Sequence, residues 1–266
     1  MTVLTDCSHH PASLQAPAKN ILRIPRYRGK LIAFVGSDGS GKTTLTSYLS
    51  IELAQDRPTT YVYLGLGSGD LGRRIGQLPV IGQMLEKKLS KKAKTTRTQG
   101  EKIPGSLTAL VVYAFSLKRY FNHLKMQNAL RAGLTVVTDR YPQAEIAGTC
   151  DGPGLSAAQP GNFFVAWLRK SEASLYQRMA EHHPDLIIHL DVSPQVAHQR
   201  KPDHDLELLQ TKSEIMKQLR FGGARMVSID ASAPFQTVWT QVVHEIQPFF
   251  ASHFSHVETG YTVQSS

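Results

Sequence analysis

Eight consecutive residues, Gly36-Ser37-Asp38-Gly39-Ser40-Gly41-Lys42-Thr43, restrict this chain more than any other stretch. A short apolar run, Lys30 to Val35, precedes them, and a helix-prone stretch, Thr44 to Ala54, follows. Strand, glycine-rich turn and helix in that order can wrap an anion. The glycines let the backbone turn tightly, so that successive N–H groups face inward on phosphate oxygens. A helix start adds partial positive charge, Lys42 is long enough to reach β- and γ-phosphates, and Thr43 offers a hydroxyl to Mg²⁺. The stretch from Gly36 to Thr44 is therefore expected to hold a nucleoside triphosphate, ATP, together with Mg²⁺.

The chain has 266 residues, enough for one large domain with trimmings, and its 41% apolar content suffices for a buried core. No apolar run reaches the roughly 18 residues a membrane-spanning helix needs; the longest candidate, Leu107 to Leu117, is too short. The first twenty residues lack a basic-then-apolar secretory pattern. Cys7 and Cys150 are far apart in sequence, which suits a reducing cytoplasm better than a disulfide framework. A cytoplasmic location is expected. The net charge of +9 is concentrated: between Leu71 and Lys102 there are nine Lys or Arg and two Glu. Such a block suits an anionic membrane surface, a polyanionic substrate or plain solvation. Aromatics are absent between Glu86 and Lys102, so the nucleic-acid signal is weak.

Apolar runs suited to strands alternate with helical patterns along the chain. Expected strands are Lys30–Val35, Thr59–Leu64, Thr135–Thr138, Asp185–Leu190 and Arg225–Ile229. Expected helices are Thr44–Ala54, Leu107–Arg131, Ser171–His182, one beginning at Ser193-Pro194, Asp205–Leu219 and Pro234–Phe250. Residues 139–170 are rich in Gly and Pro and read mainly as loop. The order predicts an α/β protein: a P-loop NTPase three-layer α/β/α fold with a five-stranded parallel sheet and a short lid. Residues 1–28 read as an N-terminal tail, 29–250 as the phosphate-loop domain and 251–266 as a C-terminal tail. Within the domain, about 70–104 reads as a basic helical insert and about 200–206 as the lid. Ligands of such sheets gather at the carboxyl ends of the strands.

Three further groups belong at that edge. Asp139-Arg140-Tyr141 directly follows the third strand; a carboxylate there can hold Mg²⁺ or its water, and the adjacent Arg can neutralise a moving phosphoryl group. Asp38 would repel a triphosphate if it pointed inward, so it is expected to face an acceptor hydroxyl, as a base or a positioning group. Arg200, heading Arg200-Lys-Pro-Asp-His-Asp205, is expected to fold over the nucleotide and supply charge.

These motifs resemble the thymidylate kinase family of P-loop kinases. Gly36 to Thr43 matches that family's loop, with Asp38 on its acidic position; Ala129 to Tyr141 resembles its helix end, glycine, strand and D-R-Y; Pro184 to Pro194 resembles its fourth strand and next helix start. The resemblance implies Mg·ATP-dependent phosphoryl transfer to a small acceptor, dTMP as the best guess. It implies that Lys42, Asp38, Asp139, Arg140 and Arg200 act in catalysis, and that Thr43 and Asp139 hold the metal. It places Asp38, Gly67, Lys118, Arg119, Arg140 and Tyr141 around the acceptor. Members of the family are often dimers, so a homodimer is expected.

The departures concern the acceptor. Where the family has T-R-E-P-G-G, this chain has Tyr63-Leu-Gly-Leu-Gly-Ser-Gly-Asp70, without the phosphate-gripping Arg. The G-S-G-D strand end and the K-P-D-H-D lid resemble those of family members linked to polysaccharide biosynthesis, and this resemblance points to a sugar or glycan precursor. Three readings follow: a nucleotide or nucleoside kinase, a sugar kinase on the same scaffold, and a nucleotide-binding regulatory module.

Overall fold

A computed structural model describes residues 29–66, 105–203 and 205–250. Both expected tails, the basic insert, Gly67 and residue 204 of the lid lie outside the described residues. Strands β1 (Leu31–Gly36), β2 (Thr59–Tyr63), β3 (Thr135–Asp139), β4 (Leu186–Asp191) and β5 (Met226–Asp230) form one sheet in the order β2-β3-β1-β4-β5. All four neighbouring pairs are parallel. The helices are α1 (Lys42–Ala54), α2 (Ser106–Arg131), α3 (Phe163–Ala180), α4 (Pro194–Arg200), α5 (Leu206–Gln218) and α6 (Phe235–Ile246). The chain has the α/β fold of P-loop NTPases.

The sequence of β1, LIAFVG, is buried almost throughout because both faces of the strand are covered. Its two faces serve different layers. Ile32 and Phe34 pack with Leu45, Leu49 and Leu53 of α1 and with Val238, Val242 and Ile246 of α6. Leu31, Ala33 and Val35 pack with Met126 of α2 and Met216 of α5. A period of two along the strand thus becomes two helical layers on opposite sides of the sheet. Each fully buried Leu or Ile contributes about 1.5–3 kcal/mol relative to exposure.

The last helix ends at Ile246, four residues before the expected Phe250, and continues as a 3₁₀ turn over Gln247–Phe249; the boundary furthest from expectation is at α3. The helix read as starting at Ser171 begins at Phe163, eight residues earlier, inside the segment read mainly as loop. Asn162 caps it, its side chain accepting from the Val165 N–H at 2.9 Å and donating to the Ser106 hydroxyl at 3.0 Å. The first turn carries exposed Phe163, Phe164 and Trp167 outside while Val165 and Leu168 pack inside against Ala109 and Val112 of α2. Apolar residues on both faces hide the helical period from a reading of the sequence. Among the described residues no helix is long and apolar enough to cross a membrane.

Replacing Asn162 by Ala removes this cap and is expected to lower stability by about 1 kcal/mol, with Asn162→Asp retaining most of it. Urea unfolding of the three proteins measures it; identical midpoints would mean that the cap contributes nothing.

Candidate active site at the carboxyl edge of the sheet

β1 lies between β3 and β4, so the chain leaving it enters the crevice where strand order reverses. The loop 36–41 fills that crevice and delivers the chain to α1. Gly41 is the N-cap of α1, with a left-handed φ of 86°, no capping side chain and no acidic residue in the first turn. Its first N–H groups are therefore left for an anion. By contrast, Asn162, Ser193 and Asp205 cap α3, α4 and α5 with their own side chains. Gly39, at φ 84°, lies so close to α4 that a Cβ there would sit 2.7 Å from the Ala197 carbonyl oxygen.

Lys42 is buried, and its ammonium donates to the carbonyls of Gly36 at 2.9 Å and Ser37 at 2.6 Å, and to the Ser40 hydroxyl at 3.3 Å. Ser37 and Ser40 are buried with it, whereas Thr43 and Thr44 are exposed in the first turn of α1. Burial pulls the Lys42 ammonium down to about 8, with Arg140 adding to the effect and Asp38, Asp151 and Asp139 opposing it.

Asp38 does not project outward as a free carboxylate. Arg140 donates to its Oδ1 at 2.7 Å and Lys212, on α5, to its Oδ2 at 2.7 Å. Burial alone would raise this carboxyl, but Lys212, Arg140 and Lys42 hold it well below the usual carboxylate range. Arg140 carries a left-handed φ of 56°, and Cys150 and Asp151, on the neighbouring turn, have φ of 47° and 64°. Such backbone costs of order 1–3 kcal/mol per residue and clusters at functional sites.

Asp139 ends β3, level with Phe34 of β1 and Tyr63 of β2. It is buried, and Tyr61 donates its hydroxyl to Oδ1 at 2.8 Å. Burial raises the Asp139 carboxyl, against the pull of Tyr61, Arg140 and Lys42. Among the described residues no cluster of three His, Cys, Asp or Glu forms a protein-only metal cage. A Mg²⁺ bound through one hydroxyl, one carboxylate and substrate phosphates needs no such cage, so Thr43 and Asp139 fit that ion. Arg200, at the end of α4, donates to the Ala231 carbonyl at 2.8 Å and lies 3.5 Å from the Gly39 carbonyl. It joins the loop after β5 to the phosphate loop.

Two residues expected at the acceptor face inward instead. Arg119 is fully buried; its guanidinium donates to the Asp151 carbonyl at 2.7 Å, to Asp151 Oδ1 at 2.6 Å and to the Tyr176 hydroxyl at 3.1 Å. Tyr141 packs in the core beside Val35 and Met126, with its hydroxyl donated to the His182 carbonyl. Amphipathic side chains reach polar partners in the interior as readily as ligands outside, and sequence position does not distinguish the two. Lys118, about 100° round the helix from Arg119, is exposed.

The sequence reading missed Tyr61, Asp151 and Lys212. Tyr61 and Tyr63 share one face of β2 by their spacing, a signal that could have flagged them next to the third strand. Asp151 sits in a Gly-rich turn and Lys212 on an ordinary amphipathic helix 174 residues from Asp38, with nothing local to mark either.

No protein-family model matches the chain. It is 41% identical over 218 residues to the uncharacterized ATP-binding protein YghR of Escherichia coli K12, covering 82% of this chain and 86% of that protein. It is 44% identical over 206 residues to the uncharacterized ATP-binding protein YghS of the same strain, covering 77% and 87%. The chain belongs to the family of these ATP-binding proteins. A more distant likeness, 28% over 225 residues, joins it to the thymidylate kinase of Burkholderia thailandensis, covering 81% of this chain and 96% of that enzyme. These relatives support a nucleotide-binding, kinase-like protein.

The lowered Lys42 has a consequence for stability. Below pH 8 folded and unfolded chains both carry the ammonium, and burying it is penalised; above about 10.4, the ordinary lysine value, neither does. Stability relative to a Lys42→Met variant is therefore expected to rise between pH 8 and 10.4, by roughly 3 kcal/mol. Denaturant midpoints of both proteins across that range test it, and a constant difference would contradict the burial of a charged Lys42.

Proposed function

We propose that this protein is an ATP- and Mg²⁺-dependent phosphotransferase of the thymidylate kinase type. The observation that carries the reading is the 2.7 Å bond from Arg140 to Asp38. It brings the end of β3, with Asp139, directly against the phosphate loop, an arrangement suited to phosphoryl transfer rather than to nucleotide binding alone. The amides of residues 36–44 hold the triphosphate, and Lys42 exchanges the carbonyls of Gly36 and Ser37 for phosphate oxygens. Thr43 and Asp139 hold Mg²⁺, which supplies charge neutralisation across the phosphates. Arg140 turns toward the transferred group, and Arg200 lies on the nucleotide side, against the loop after β5. Asp38, kept ionised by two cations, positions the acceptor hydroxyl and is a poor proton acceptor.

Thymidylate is the acceptor suggested by the kinase relatives, whose names describe their own substrate. A second reading, an uncharged hydroxyl acceptor such as a nucleoside, a sugar or a glycan precursor, is favoured by the pairing of Arg119 with Asp151. An arginine occupied in that way does not grip a nucleobase or an acceptor phosphate. Incubation with Mg·ATP and a panel of dTMP, dUMP, nucleosides and sugars, with detection of the phosphorylated product, distinguishes the two. ATP binding without turnover on any acceptor would instead indicate a regulatory module.

Lys42→Ala is expected to lower kcat at least 10²-fold, because the phosphates lose a buried, preorganised cation. Asp139→Asn is expected to lower the single-turnover rate by a similar factor while ATP still binds. Unchanged rates in both variants would place the chemistry elsewhere.

A further inference from the structure

Asp38 presents a physical difficulty. A carboxylate within a loop that wraps a triphosphate repels its ligand, yet the fold keeps this one ionised and nearly buried, its side chain 10% exposed. It is held by cations from two elements, Arg140 after β3 and Lys212 on α5, each at 2.7 Å and on different oxygens. Arg140 is also the guanidinium that the phosphotransferase reading assigns to the transferred phosphoryl group. While Arg140 neutralises Asp38 it is not free to do so.

Lys212 resolves the conflict. Its side chain is one-quarter exposed with the ammonium anchored on Asp38, and its backbone carbonyl accepts from the Cys150 thiol at 3.5 Å, beside the turn that carries Asp151. The residue is thus tied to the site at both ends.

Resting on the phosphotransferase reading, we infer that Lys212 is a positioning residue: it keeps Asp38 neutralised when Arg140 leaves for the transferred phosphate, and so makes Arg140 available without exposing the triphosphate to an uncompensated carboxylate. The role belongs to the Lys212–Asp38 pair, not to Lys212 alone. Once Asp38 loses its charge, Lys212 becomes dispensable for nucleotide binding.

The test is a double-mutant cycle on the full chain with Mg·ATP as the probe, affinity being read by calorimetry and folding by circular dichroism. Lys212→Met is expected to weaken Mg·ATP binding about tenfold, within the range seen for coupled neighbours. Lys212→Arg is expected to stay within about threefold of the parent, since it keeps the charge. In the Asp38→Asn background, Lys212→Met is expected to change affinity by less than about threefold. With an acceptor in hand, kcat falls in Lys212→Met by a larger factor than the KM for that acceptor rises. Parent-like affinity in Lys212→Met, or equal losses with and without the Asp38 charge, would overturn the inference. The binding arm needs no acceptor, so failure to find turnover would sink the phosphotransferase reading and leave this test standing.

Discussion

The position of β1 between two parallel partners is the constraint on which the site depends. Leu31 to Phe34 pair with β3 and Ile32 to Gly36 with β4. Chain leaving the carboxyl end of β1 therefore has neighbours on both sides: Asp139 and Arg140 from β3, and the β4–α4 connection beyond Asp191. The strands buried on both faces hold this register firmly, because a one-residue slip would exchange the contents of two separate apolar layers. A phosphate loop attached anywhere else in the sheet would lack one of these flanks.

Charges at that edge come as interlocked pairs. Asp38 with Arg140 and Lys212, Arg119 with Asp151, and Lys42 with the loop's own carbonyls together satisfy groups that burial would otherwise make expensive. Every one of these bonds joins segments that are distant in sequence or folds the loop on itself. Strained backbone at Arg140, Cys150 and Asp151 lies along the same rim. On the proposed phosphotransferase reading, an incoming polyanion competes for Lys42 and Arg140, and the partners they release need substitutes already at hand.

Much of the scaffold was legible before any coordinates. Five strands and the helices that cover them follow from apolar runs and helical spacing, with most ends displaced by one or two residues. The loop motif predicted a helix start open to an anion, and Gly41 has that character. The late start assigned to α3 shows the limit. Phe163, Phe164 and Trp167 face outward, so the pattern that reveals an amphipathic helix is absent there, and only Asn162 marks the beginning. Arg119 and Tyr141 show another limit: motif position put them near a ligand, while packing turned both toward the interior.

By itself the sequence determined the alternation of strands and helices, the phosphate loop and the residue types at strand ends, because these are written in local spacing and backbone freedom. Tertiary structure alone decided which cation meets which carboxylate. Lys212 reaches Asp38 across 174 residues, and Arg119 turns to Asp151 rather than outward. The physical reason is that an ion pair is selected by proximity and shared burial, and neither exists until the sheet has brought separate segments to one edge.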